Sequence, residues 1–194
     1  MKTRMPSIIC ACAAVLGAAG CAAPKKAIYA STQFTPAAVA QVAVLPIVDS
    51  RVGKAEPIEL QKDVGGYLRS RLEDRGYTVQ FASSFGDVGT VSDVDLQSPD
   101  PAWIRRLGPP DARYVLVVML VDLKSTLTFG STGNAEVSGY LFDRADGVML
   151  WHDKGIGQVG QGGLLGMAFK GGMASNALRV AVEDMVSSLP ERRK

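Results

Sequence analysis

The run Tyr114-Val115-Leu116-Val117-Val118-Met119-Leu120-Val121 constrains this chain more than any other segment, because it is apolar on both faces of an extended backbone. A strand with no polar face must be central in its sheet and covered above and below. The segments around it set the rest of the class. Gln41-Val42-Ala43-Val44-Leu45-Pro46-Ile47 is a second apolar, β-branched run, closed by Pro46 and Asp49-Ser50-Arg51, and reads as a buried strand. Ile58, Leu60, Val64, Tyr67, Leu68 and Leu72 recur near helical spacing, with Pro57 suited to a first turn and Gly76 to a C-terminal stop. Tyr77 to Phe81 alternates as a half-buried strand, and Ser83 to Gln97 is rich in Ser, Gly and Asp and predicts a loop. Asp100-Pro101 through Gly108 carries the N-cap, first-turn proline and terminal glycine of a short helix. Glu136–Phe142 and Val148–Trp151 are strands joined by the turn cluster Asp143-Arg144-Ala145-Asp146-Gly147. A last helix has an apolar stripe of Ala174, Ala177, Leu178, Ala181, Met185 and Leu189, with Ser175 or Asn176 as cap and Pro190 as stop. The order β-α-β-α-β-β-β-α predicts a single α/β (α+β) domain over 40–190, a mixed sheet with helices packed mainly on one face, ending in a basic tail, 191–194.

Ahead of that domain stands a different kind of sequence. Lys2 and Arg4 precede an apolar stretch from Ile8 to Gly17, too short to cross a bilayer, and Leu16-Gly17-Ala18-Ala19-Gly20-Cys21 closes it. This arrangement resembles a bacterial lipoprotein signal peptide, with Ala18 standing where Leu is usual. The resemblance implies removal of residues 1–20 and lipidation of Cys21; ordinary signal cleavage after Gly20 is the alternative, since Ala18 and Gly20 are small enough for it. Acylated on sulfur and amine, Cys21 would carry three chains, where one alone binds membranes only marginally. Ala22 at the sorting position implies the outer membrane, with the domain in the periplasm. Residues 21–39 lack periodicity and read as a lipidated flexible tether, on which Ile28, Tyr29 and Phe34 are the large apolar groups; docking of part of it on the domain is the expectation, and a contact with the membrane surface is the alternative.

Removing the leader changes the charge balance. Lys2 and Arg4 are its only charges, so 21 cations against 19 anions become 19 of each. A neutral chain lacks the cation surplus that displaces counterions from nucleic acid, and that class of partner is rejected. Cys10 and Cys12 also lie in the leader, which leaves Cys21 as the one mature thiol and no intramolecular disulfide.

The motifs of chemistry fail on context or count. Gly155-Ile156-Gly157-Gln158-Val159-Gly160 matches G-x-G-x-x-G formally, but a dinucleotide site needs further parallel strands behind it and one helix remains. A flexible glycine-rich connector from Gly155 to Gly172 is the expectation, with no cofactor. Within it Leu164, Leu165, Met167 and Phe169 are either docked core or a partner-binding or membrane-touching patch. His152 is the single histidine, and a hydrolase would have to rest on it beside Asp153; a polar strand-end residue is the simpler reading, with no catalytic residue assigned. Zinc would find no cluster of ligands here, and no metal site is assigned. Asp143 and Asp146 suit a turn, and Met119, Met149, Met167, Met173 and Met185 suit a core.

Several of these segments together resemble small envelope lipoproteins: a first strand ending in Leu45-Pro46, a helix ending in Arg75-Gly76-Tyr77, a short helix after Asp100-Pro101, and Leu141-Phe142-Asp143 through Gly147 to Trp151. The similar families are the curli-secretion lipoprotein, the activators of penicillin-binding proteins, the amino-terminal domain of TolB and an uncharacterised group of outer-membrane lipoproteins. The resemblance implies an α/β domain used for protein contact without catalysis. The curli relative forms a pore through long hairpins; Asp122 to Val137, the comparable stretch, lacks sustained alternation, so no pore is expected. The expected function is a non-enzymatic, lipid-anchored assembly or accessory factor that binds another envelope protein. The alternatives are a self-assembling structural or secretion-complex subunit and, further off, a small-ligand carrier or a hydrolase.

Overall fold

The computed structural model describes residues 25–54, 57–128, 130–162 and 170–192, and a seven-stranded mixed sheet organises them. The strands are β1 (Tyr29–Ala30), β2 (Gln41–Val44), β3 (Val48–Asp49), β4 (Thr78–Phe81), β5 (Tyr114–Thr128), β6 (Gly130–Asp143) and β7 (Val148–Gly162). Their spatial order is β1-β7-β6-β5-β2-β4, with β3 beside β5. β2 runs parallel to β4 and β5, and β3 parallel to β5, whereas β5, β6 and β7 form an antiparallel meander with β1 antiparallel on its edge. The helices are α1 (Leu60–Asp74), α2 (Asp93–Gln97), α3 (Pro101–Ile104) and α4 (Lys170–Ser187).

Both faces of β5 are covered, as its composition requires. Leu116, Val118 and Leu120 enter the core beneath α1 and α4, while Val115, Val117 and Met119 enter a second core beneath α2 and α3. The two long helices thus share one face, and two short helices with their loops close part of the other. A bulge between Leu120 and Asp122 shifts the register, so that Leu123 returns to the core under α4. Helix α1 buries Val64, Leu68 and Leu72 at four-residue spacing. Gly76, at φ +87°, ends it: the amide of Gly76 donates to Glu73 O and that of Tyr77 to Leu72 O, the paired bonds that release a helix into a strand.

Four expectations are corrected. β5 and β6 are roughly twice as long as the runs expected for them and β7, at 15 residues, extends far past Trp151, so that Asp122 to Val137 is strand on both sides of the hairpin. The Gly155–Gly160 motif lies inside β7 and is no flexible connector. α4 starts at Lys170, which puts Ser175 and Asn176 inside the helix. A capped helical turn, α2, interrupts the stretch read as loop, held by Ser92 and Asp95 in a capping box. Part of the segment read as tether is also docked: from Lys25 it runs along β7, forms β1, and turns through a short 3-10 helix at Pro36–Ala38.

Candidate functional site

Beyond Leu120 the sheet narrows to β5, β6 and β7, and this extension is the feature most open to a partner. Among the described residues no other strand flanks β5 past Leu120, and β1 flanks β7 only at His152 and Trp151. One face is closed by α4. The other carries Lys124, Thr126, Thr132, Lys154, Ile156 and Gln158, all exposed.

Glycines let α4 lie on the extension. A Cβ built on Gly155 would stand 1.8 Å from Ala181 O, and one on Gly133 2.2 Å from Met173 O. Any side chain there would force the helix off the sheet. The formal nucleotide motif therefore serves helix-to-strand packing. Its residues alternate, with Gly155 and Gly157 toward α4 and Ile156 and Gln158 toward solvent.

The N-terminal segment clamps onto the same region. Lys25 Nζ donates to Asp184 Oδ2 at 2.9 Å and to the carbonyl oxygens of Asp184 and Lys154. It also stands 3.0 Å from Asp153 Oδ2. That oxygen is buried and takes no hydrogen bond among the described residues, so its attraction to Lys25 is Coulombic. Asp184 Oδ2 accepts in addition from the amide of Ile156 at 3.1 Å. Two side chains thereby occupy backbone groups that an edge strand would otherwise offer to another chain.

His152 and Asp153 do not cooperate. Successive strand residues point to opposite faces, and Asp153 lies under α4 with Lys25. His152 stacks on Tyr140 with ring centroids 4.1 Å apart, and its Nδ1 lies 3.1 Å from Gly139 O. A carbonyl only accepts, so Nδ1 carries the proton. Burial holds this imidazole below its ordinary pKa of 6.5. It is a half-buried mid-strand residue, where a strand-end position was expected. Tyr29 stands directly across from it on β1.

The turn aspartates have separate neighbours. Asp143, 3% exposed, accepts from the amides of Ala145 and Asp146 and from Nε and Nη2 of Arg113. Asp146 meets the same guanidinium at 3.2 Å. Arg144 reaches back to the carbonyls of Pro109, Ala112 and Arg105, so the turn is tied to the loop before β5. Beside it a cleft of about 250 Å³ is lined by Gln41, Gln80, Arg113 and Tyr114. At the end of β3 the Arg51 guanidinium holds the Asp49 carboxyl below the usual carboxylate range. No group of three or more His, Cys, Asp or Glu among the described residues is placed to hold a metal.

Cys21, Leu164, Leu165, Met167 and Phe169 lie outside the described residues. Lys25 and Asp184 carried no signal in the sequence and Asp153 stood out only as the neighbour of His152, because the three positions are too far apart to suggest a cluster. The glycines had a signal: small residues at every second position from Asp153 to Gln158 carry the strand period, with glycine in place of the apolar partner.

No family model matches the chain, and no curated protein matches it. Solved structures do. A dodecameric variant of PelC from Paraburkholderia phytofirmans aligns with a TM-score of 0.50 at 16% identity, over 81% of this chain and 91% of that one. The PelC dodecamer in another crystal form gives 0.48 at 13% identity, over 87% and 96%. Lipoprotein GNA1162 from Neisseria meningitidis gives 0.43 at 19% identity, over 63% and 84%. At these identities the likeness is one of fold.

Proposed function

We propose that this chain is a lipid-anchored protein of the bacterial envelope, held at the outer membrane through Cys21, that acts by binding protein and performs no catalysis. The observation that carries the reading is the three-stranded extension. Among the described residues its edges are unpaired by other strands past Leu120 on β5 and, beyond the groups of Lys154 and Ile156 that Lys25 and Asp184 occupy, on β7, and its solvated face is of mixed charge. An exposed sheet edge recruits another chain through its main-chain groups, and the lysines and glycines here limit that to a suitable partner. The leader supplies the location. Three acyl chains on Cys21 would make anchoring effectively permanent.

A second reading is a self-assembling subunit. It is favoured by the fold shared with PelC, a dodecamer in both of its crystal forms. Crosslinking in intact cells, with light scattering on the detergent-extracted protein, separates the two. An adaptor is monomeric or dimeric and crosslinks to a different protein; a structural subunit appears as one large discrete oligomer crosslinked to itself. Cys21→Ser should abolish palmitate labelling and detergent partitioning, and unchanged labelling would overturn the anchor.

A further inference from the structure

We infer that the corner formed by Ile28, Tyr29 and Ile156 rests on the lipid surface that holds the anchor, so that the domain is seated on the bilayer in one orientation. The inference depends on acylation of Cys21 and adds to it a specific contact.

Two independent observations meet at this corner. The first is exposure. Five large hydrophobic residues are exposed among the described residues, and three of them stand here: Ile28 at 60%, Tyr29 at 42% and Ile156 at 58%. Isolated exposed apolar residues need no explanation, but a group along one edge of the sheet does, with Ile28 in the bend before β1, Tyr29 on β1 and Ile156 on β7. Tyr29 lies opposite His152, and Ile156 follows four residues along β7, so both project from the face away from α4. Lys26 and Lys154, both exposed, stand among them. Aliphatic side chains with a tyrosine and lysines make the composition of a surface lying at the headgroup boundary.

The second observation is the length of the chain. Lys25 is fixed by Asp184 and Asp153, and only four peptide steps separate it from Cys21. Fully extended, four residues reach about 14 Å. The lipid therefore enters the bilayer within that distance of Lys25, whose ammonium shares Asp184 Oδ2 with the amide of Ile156. A domain on so short a leash must present some face near Lys25 to the membrane, and the apolar face near Lys25 is this one.

The test uses the acylated full chain. With Cys21 acylated, a single introduced cysteine is the one reactive thiol, so Tyr29→Cys, Ile156→Cys and, on the exposed side of α1, Ser70→Cys can each carry an environment-sensitive fluorophore. The proteins are reconstituted in vesicles of phosphatidylethanolamine and phosphatidylglycerol, with and without acyl-chain bromine. Quenching by brominated lipid should be several-fold stronger at residues 29 and 156 than at 70, and Lys25→Ala should reduce it at 156 by lengthening the free leash. Equal quenching at all three sites, or none in protein that carries label and floats with vesicles, overturns the contact and leaves the anchor standing. Wild-type protein that is neither palmitate-labelled nor vesicle-bound overturns both. A spectral shift at 156 that grows with protein concentration and ignores bromine assigns the corner to a second copy of the chain and overturns the inference.

Discussion

The carbonyl oxygen of Ala177 lies 1.8 Å from where a Cβ on Gly157 would stand, so α4 crosses β7 backbone against backbone. Buried Ala177 and Ala181 complete the approach from the helix side. Gly157→Ala must push the helix away and should cost several kcal/mol, enough to unfold a marginal domain. Gly160→Ala meets its nearest atom at 3.6 Å, an ordinary contact, and should cost less than about 1 kcal/mol. Urea denaturation of the two variants checks the contrast, and equal losses would refute close packing as the reason for the glycines.

These glycines also mark where the sequence stopped being legible. The cores were readable, because Val64, Leu68 and Leu72 repeat at a helical period and Tyr114 to Val121 of β5 is apolar throughout; sheet class and element order followed from them. The outer halves of β6 and β7 were not, since the side facing α4 is filled by Gly133, Gly155 and Gly157 instead of apolar side chains, and the outer half of β5 is largely polar. A strand built that way has its period in residue size, and hydropathy does not register it. The Lys25 cluster was illegible for another reason. It joins residues more than a hundred positions apart, and only the folded register brings them together.

A pH titration of stability should report His152. Burial lowers its folded-state pKa below 6.5, so the unfolded chain binds the proton more tightly than the folded one. Stability from this residue is therefore full above 6.5 and falls as pH drops below it toward the folded value. His152→Gln should flatten that limb of the profile while leaving the carboxylate region unchanged. Melting temperatures from about pH 7.5 to 5 test this, and an identical slope in the variant would show that another group titrates.

Asp143 should matter more to stability than Arg113. The Asp143 side chain is 5% exposed and satisfies two turn amides, whereas the Arg113 side chain is 54% exposed. Asp143→Ala leaves both amides without their acceptor and should cost about 2–3 kcal/mol. Arg113→Ala removes a solvent-screened partner and should cost less than half of that. The reverse ranking in chemical denaturation would place the stabilisation in the ion pair.

Leu116 and Val117 are adjacent, 1% and 0% exposed, and belong to different cores. Leu116→Asp and Val117→Asp should each abolish folding, since either buries an unpaired carboxylate. Circular dichroism of both proteins tests the two layers separately. A folded Val117→Asp protein would show that the face under α2 and α3 can open to water without loss of the domain.

Lys25 should hold the N-terminal segment in place. Asp153 keeps a side chain only 2% exposed, and the Lys25 ammonium is the cation beside it, at 31% exposure. Removing that cation leaves a buried carboxylate, a loss tempered by the partial exposure of the lysine, so Lys25→Ala should cost about 2 kcal/mol. Asp153→Asn keeps the shape and removes the charge; in that background Lys25→Ala should cost much less, and the difference is the coupling between them. The structural consequence is local. The amide of Ser31 donates to Leu150 O at 2.8 Å and closes the β1 pairing, and its hydrogen exchange should quicken when the clamp is cut, while amides of β5 keep their protection. Unchanged exchange at Ser31 in Lys25→Ala would mean that the packing of Ala27 and Phe34 against the core secures the segment without the ion pair.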